Sequence, residues 1–216
     1  MTDFSARRVM MVDTQVRPSD VTKFPIIAAM LSVSREDFVP DARREAAYVG
    51  LNLPLTDGRV MLEARSLAKL LDALDIQPGE RVLDLGAGYG YASAIMVELG
   101  ANVVAVEEAA MAPHARAKLD AAGCTQVKLV HAPLSSGAPA EGPYAAIVVQ
   151  GAVEQMPDAI LDQLADGGRI GAIFMEGALG VARIGHKADG HVTWRYAFNA
   201  TAPVIPGFET RRTFVL

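Results

Sequence analysis

The sequence predicts a doubly wound α/β fold, built on a mostly parallel sheet behind an N-terminal helical extension. Three observations predict it. From residue 80 onward, apolar runs rich in β-branched residues alternate with helix-like segments. Residues 1 to about 78 lack that rhythm and read as short helices and turns. The end of the chain changes again, to two alternating runs around Asp189-Gly190, which is a hairpin signal. The extension is therefore set at 1–78 and the core at 79–216, together forming one compact unit.

The elements follow in order. "DFSARRVMMVDTQV" and "KFPIIAAMLSV" read as short helices separated by "RPSD", with Pro25 in the first turn of the second, where its missing N–H costs least. Arg7 and Arg8 are expected on the wet face of the first. In "SREDFVP", Ser34 is placed as an N-cap with Asp37 three residues on, and Pro40 stops the segment. "LNLPLTDGRV" is extended, with a turn at Asp57-Gly58. Leu67, Leu70, Leu71 and Leu74 share one face of a helix. The runs "RVLDL", "NVVAVE", "QVKLVH", "YAAIVVQ" and "GGRIGAIFM" are five strands, nearly continuous in apolar residues as strands buried on both faces must be. Helices are expected over 89–99, 109–122 and 155–165, which implies right-handed crossovers. "TRRTFVL" reads as a last short strand, giving the sheet an antiparallel edge.

Composition narrows the function. The chain has 216 residues, 51% hydrophobic and 21% charged, an ordinary globular balance. A net charge of −5 argues against broad nucleic-acid binding. The single Cys124 cannot form an intrachain disulfide, and no cysteine cluster exists to bind zinc. His114, His186 and His191 lack metal-ligand spacing, so no metal is expected. No stretch approaches the roughly 20 apolar residues that span a bilayer. The start carries acids and arginines where a signal peptide would be apolar, so a cytoplasmic protein is expected.

The stretch "VLDLGAGYGYASA" carries the chemistry. Gly86, Gly88 and Gly90 let the backbone turn sharply and approach a ligand, and Ala87 lies between them. A helix begins there, so its free N–H groups face the same space. The dinucleotide fingerprint G-x-G-x-x-G would put its third glycine at 91, where Tyr91 stands. Asp84 sits in an apolar strand beside the turn and needs donors or a cation. It would repel a pyrophosphate and attract a ligand with an ammonium and a sulfonium, as in S-adenosylmethionine. The blander alternative, that Asp84 accepts N–H bonds from its own loop, is compatible with this. Glu107 closes the second strand, at the place where an acid accepts hydrogen bonds from a ribose diol. Tyr89 or Tyr91 either lines this cleft or packs. Ser66 and Ser93 show no triad partners.

With these residues in view, the sequence resembles the protein-L-isoaspartate O-methyltransferase family, a Rossmann-like branch of the class I S-adenosylmethionine-dependent methyltransferases. The likeness runs from about residue 8 to about 175 and includes "MVDTQV", "IIAAMLSVSREDFVP", "LPL", "IQPGERVLDLGAGYGYASAI" and "LDQLADGGRI". It implies a seven-stranded sheet with its final strand inserted antiparallel, S-adenosylmethionine as cofactor, and methyl transfer to a carboxylate. Residues 1–78 would then cap the acceptor side, with a protein or small molecule as methyl acceptor and neither nucleic acid nor membrane as partner.

The departures are as informative. Where the family reads Gly-Gln-Thr-Ile-Ser-Gln-Pro and its serine helps form the acceptor site, this chain reads Gly58-Arg59-Val60-Met61-Leu62-Glu63-Ala64. Leu62, Glu63 and Arg65 become the acceptor-side candidates. Glu63 would repel an anionic acceptor unless paired with Arg59 or Arg65. Where the family's Gly-Asp-Gly holds adenine, Ala132-Pro133-Leu134 stands, leaving His131 as a polar contact. Gln150-Gly151-Ala152 replaces a typical Thr-Ala-Ala. A non-catalytic cofactor-binding member of the family and a nicotinamide dehydrogenase are the alternatives.

Overall fold

A computed structural model describes residues 3–56 and 58–210. The N-terminal extension opens with α1 (Phe4–Met11), capped by the Asp3 carboxylate. The helix does not stop at Met11 but widens into a π turn over Val12–Val16 and tightens into a 3₁₀ turn over Arg17–Ser19. α2 (Phe24–Ser32) follows, with Pro25 in its first turn. Ser34 precedes a 3₁₀ turn over Arg35–Phe38, but its hydroxyl does not cap it; Oγ accepts from Arg8 Nη2 at 2.6 Å. Arg8 is thus no wet-face residue. It also donates to Tyr48 and Glu36, and Tyr48 donates to Glu36 in turn, a half-buried knot tying α1 to the segment after α2.

Two short strands, β1 (Leu53–Pro54) and β2 (Val60–Met61), pair antiparallel as the extended segment predicts. Asp57 of the expected turn lies outside the described residues. α3 (Ala64–Leu74) buries all four of its predicted leucines.

The core alternates strand and helix: β3 (Arg81–Leu85), α4 (Tyr91–Glu98), β4 (Asn102–Glu107), α5 (Ala112–Ala121), β5 (Lys128–His131) and β6 (Tyr144–Val153). The helix expected over 155–165 shrinks to α6 (Asp158–Leu161), because β7 (Leu164–Glu176) takes up its end. β8 (Leu179–Ala188) and β9 (His191–Asn199) form the hairpin, with Asp189 and Gly190 at φ 51° and 77°, as a type I′ turn requires. The sheet order is β5-β4-β3-β6-β7-β8-β9. The pairs from β5 to β7 are parallel, and β8 is antiparallel to both neighbours. The expected insertion of the final strand is therefore not seen among the described residues: β7, β8 and β9 follow one another in chain order, and the antiparallel strand is β8. Of the last expected strand, residues 211–216 lie outside the described residues.

Alternate residues of β3 feed opposite layers: Val82 joins the core beneath α3 and α4, and Leu83 and Leu85 the core on the other face. Burial on both faces explains the unbroken apolar strands. Trp194 lies half-buried on β9, its ring edge-on to Phe174 at 4.8 Å between centroids. Chain order reverses between β3 and β6, so the crevice at their carboxyl ends is where a sheet of this kind binds ligands.

Candidate functional site

The glycine turn fills that position. Gly86, Gly88 and Gly90 have φ of 76°, 62° and 96°, a region other L-residues enter only under strain. Ala87 is buried beside them, and α4 starts directly from Gly90.

Asp84 is fully buried, and its donors come from outside the glycine turn. Ser93, one turn into α4, donates its hydroxyl to Oδ2, and Gln150 Nε2 donates to Oδ1 at 2.9 Å. Gln150 reaches it from a register irregularity in β6 between Val148 and Ala152, the kind of bulge that re-aims a side chain. Burial pushes the Asp84 carboxyl up to about 6, against the lowering pull of the Ser93 and Gln150 hydrogen bonds.

Glu107, also fully buried, is saturated. Gly88 N–H donates to Oε2 at 2.7 Å and Glu108 N–H to Oε1 at 2.9 Å. Arg59 grips both oxygens, with Nη1 2.8 Å from Oε1 and Nη2 3.1 Å from Oε2, and also donates to the Gly86 carbonyl at 2.7 Å. Its Nε is buried with no partner. An acid at the end of β4 was legible in the sequence; its guanidinium partner on the β1–β2 hairpin was not. The signal available was that a fully buried carboxylate needs a cation.

The hairpin covers the turn with a second side chain. A Cβ built on Gly86 would lie 2.7 Å from Arg59 Nη2, and one on Gly88 would lie 2.8 Å from Leu55 Cδ1. Leu134 Cδ1 lies 3.6 Å from the same Gly86 point. His131 is exposed and borders an open cleft of about 320 Å³ with Glu108, Ala109, Ala132 and Pro133.

Of the three acceptor-side candidates, Leu62 is buried and lines a small cavity with Phe38, Val60, Tyr89, Tyr91 and Gln150. Both tyrosines therefore face this cavity. Tyr91 also packs on Phe38 and under the Arg35 guanidinium, and Tyr89 stacks on His114. Arg35 is wholly buried and donates to the carbonyls of Ala47 and Leu62, fixing Leu62 in place. Glu63 is paired, with Arg65 at 3.6 Å and with the Ser66 hydroxyl at 2.7 Å; Arg59, the other expected partner, has gone to Glu107. Arg65 reaches on to the Asn199 carbonyl and lies over Phe198. Leu62 thus belongs to the cleft wall, while Glu63 and Arg65 are turned toward the start of α3 and the end of β9. Among the described residues, no group of three or more His, Cys, Asp or Glu is placed to hold a metal, and no helix is long and apolar enough to cross a membrane.

Residues 8–200 match the family described as Protein-L-isoaspartate(D-aspartate) O-methyltransferase (PCMT). A protein-L-isoaspartate O-methyltransferase of Methylorubrum populi is 39% identical over 171 residues, covering 79% of each chain. Protein-L-isoaspartate O-methyltransferase 1 of Rhodopseudomonas palustris is 37% identical over 170 residues, 78% of this chain and 69% of the relative. In fold, the chain superposes on a solved protein-L-isoaspartate O-methyltransferase with a TM-score of 0.81 at 23% identity, over 93% of this chain and 66% of the other. It also superposes on a Plasmodium falciparum structure described as a beta-aspartate methyltransferase in complex with S-adenosyl-L-homocysteine. There the TM-score is 0.79 at 17% identity, over 94% of this chain and 98% of the other.

Proposed function

The chain belongs to the protein-L-isoaspartate(D-aspartate) O-methyltransferase family, and we propose that its glycine turn and Glu107 hold S-adenosylmethionine for methyl transfer to an acceptor that the family's serine no longer selects. It is an S-adenosylmethionine-dependent methyltransferase of that family. The observation that carries the site assignment is the meeting of Gly86, Gly88 and Glu107: a bare turn and a buried carboxylate at the carboxyl ends of adjacent strands.

The residues fit the cofactor in their donor and acceptor set. Gly86 and Gly88 offer backbone that a ligand can approach, and Glu107 offers an acid for two ribose hydroxyls. Gly88 N–H and Glu108 N–H orient that acid independently of any ligand. Asp84 fixes the start of α4 through Ser93 and ties it to β6 through Gln150. When bound, S-adenosylmethionine supplies an electrophilic methyl on a sulfonium, and the chain contributes position and exclusion of water. Such transfer needs no strong base when the acceptor is already nucleophilic. Phe38, Leu62 and Tyr91 give the acceptor side an apolar wall. His131, on an open cleft without the family's acid, would give the adenine a polar contact.

Residues 1–78 serve as the acceptor-side cap of the 79–216 core in this reading. Arg35 supports it by joining the cap's Leu62 carbonyl to the Tyr91 ring of α4. The acceptor is a protein or a small molecule. The net charge of −5 speaks against nucleic acid, and cytoplasmic residence belongs to the same reading.

Two measurements test this. Calorimetric titration with S-adenosyl-L-homocysteine should show binding that Glu107→Ala abolishes. Methylation of an isoaspartyl peptide should run well below that of a serine-bearing family member. Equal rates would show that the acceptor has not changed.

A further inference from the structure

We infer that Arg59 competes with the cofactor's ribose for Glu107, so that the β1–β2 hairpin must release the glycine turn before the cofactor is seated, and Arg59 sets the affinity of the site. The inference rests on the proposed cofactor reading and adds a residue that the reading does not need.

Two observations carry it. The first is occupancy: Arg59 takes both Glu107 oxygens and the Gly86 carbonyl. These are groups that a ribose and the adjoining chain of a ligand would meet. The second is volume. Arg59 and Leu55 stand where Cβ atoms on Gly86 and Gly88 would stand. The neighbouring cavity beneath Leu55, lined also by Val60, Leu62 and Tyr91, is about 10 Å³, room for about one water.

The hairpin contributes little strand pairing of its own. Its ladder is two residues a side, Leu53 with Met61 and Pro54 with Val60, and two-stranded ribbons are marginal alone. Its ends are held by Asn52, which accepts from Glu63 N–H and donates to the Thr201 carbonyl, by Arg35 on the Leu62 carbonyl, and by burial of Leu53 and Met61. When Arg59 withdraws, Glu107 keeps its two backbone donors, so the acid remains prepared for ribose hydroxyls. The guanidinium regains water. Affinity for the cofactor is then reduced by the fraction of molecules in which the hairpin is open.

Arg59→Gln removes the competitor and keeps a side chain able to hydrogen-bond. Titrated with S-adenosyl-L-homocysteine, this variant should bind at least ten-fold more tightly than the unaltered chain, a gain typical of a site that is open about a tenth of the time or less. A second measurement needs no variant. Phenylglyoxal modification of Arg59, read by peptide mass, should be slow in the free protein and rise several-fold when S-adenosyl-L-homocysteine saturates it. Equal or weaker binding by folded Arg59→Gln overturns the inference, as does an Arg59 that stays protected in the liganded chain. If neither protein binds S-adenosyl-L-homocysteine, the cofactor reading itself falls and this inference falls with it.

Discussion

Arg59 and Glu107, 48 residues apart in sequence, form a two-pronged ion pair that the fold almost completely encloses, with side-chain exposures of 4% and 0%. Taking two charges out of water is costly, and breaking such a pair by removing one partner leaves the other charge buried and unmet. Glu107→Ala should therefore lower stability by about 3–5 kcal/mol in urea unfolding. The double replacement Arg59→Met with Glu107→Gln should restore more than half of that loss. Additive losses in the double variant would mean that the two residues act separately.

Asp84 gives the chain a pH dependence of unusual sign. Its carboxyl titrates at about 6 in the folded protein and at its ordinary 3.8 when unfolded, because burial disfavours the charge. Between these values the folded state holds the extra proton. The contribution is present in full below about pH 4 and is lost as pH rises through about 6. Relative to Asp84→Asn, the unaltered chain should lose up to about 3 kcal/mol of stability from about pH 4 to 7. Urea midpoints for both proteins across that range decide it, and a constant difference would be the contrary result.

Gly90 opens α4 at φ 96°, and a Cβ there would lie 2.7 Å from Leu119 Cγ. Gly90→Ala combines backbone strain with a clash. It should cost about 2–4 kcal/mol in thermal or urea unfolding and weaken S-adenosyl-L-homocysteine binding by shifting the turn. Wild-type binding in this variant would separate the turn from the ligand.

Leu62→Ser returns a hydroxyl to the cleft wall. Losing a buried leucine should cost about 2–5 kcal/mol. Isoaspartyl-peptide methylation should nonetheless rise above that of the unaltered chain, at a temperature where both are folded. A folded variant with no gain would place the acceptor determinant elsewhere.

What the sequence disclosed followed what is local. Leu67, Leu70, Leu71 and Leu74 announce α3 because helical spacing is written in adjacent turns, and Asp189-Gly190 announces its hairpin because the turn dictates its residues. The helix over 155–165 failed at its end, where Leu164 pairs with Tyr144 of β6, a partner 20 residues away that helical spacing does not reveal. The site divided in the same way. Gly86 to Gly90 and Glu107 are visible from spacing. Gln150 on Asp84 and Arg59 on Glu107 join residues 66 and 48 positions apart, and no spacing rule spans that distance. Arg8 failed for this reason too: on a helical wheel it is one polar residue among several, and only the fold supplies Tyr48, Glu36 and Ser34 around it.

The placement of Trp194 makes it a useful optical probe. It is the single tryptophan of the chain and sits against Phe174 on the hairpin edge of the sheet, whereas Tyr89 and Tyr91 line the cleft. Emission excited at the red edge, where only indole absorbs, will follow loss of the sheet and stay indifferent to the hairpin over the glycine turn. Emission excited through the tyrosines will sense both. The same sample thus reports unfolding and cleft opening on separate channels, with no label attached.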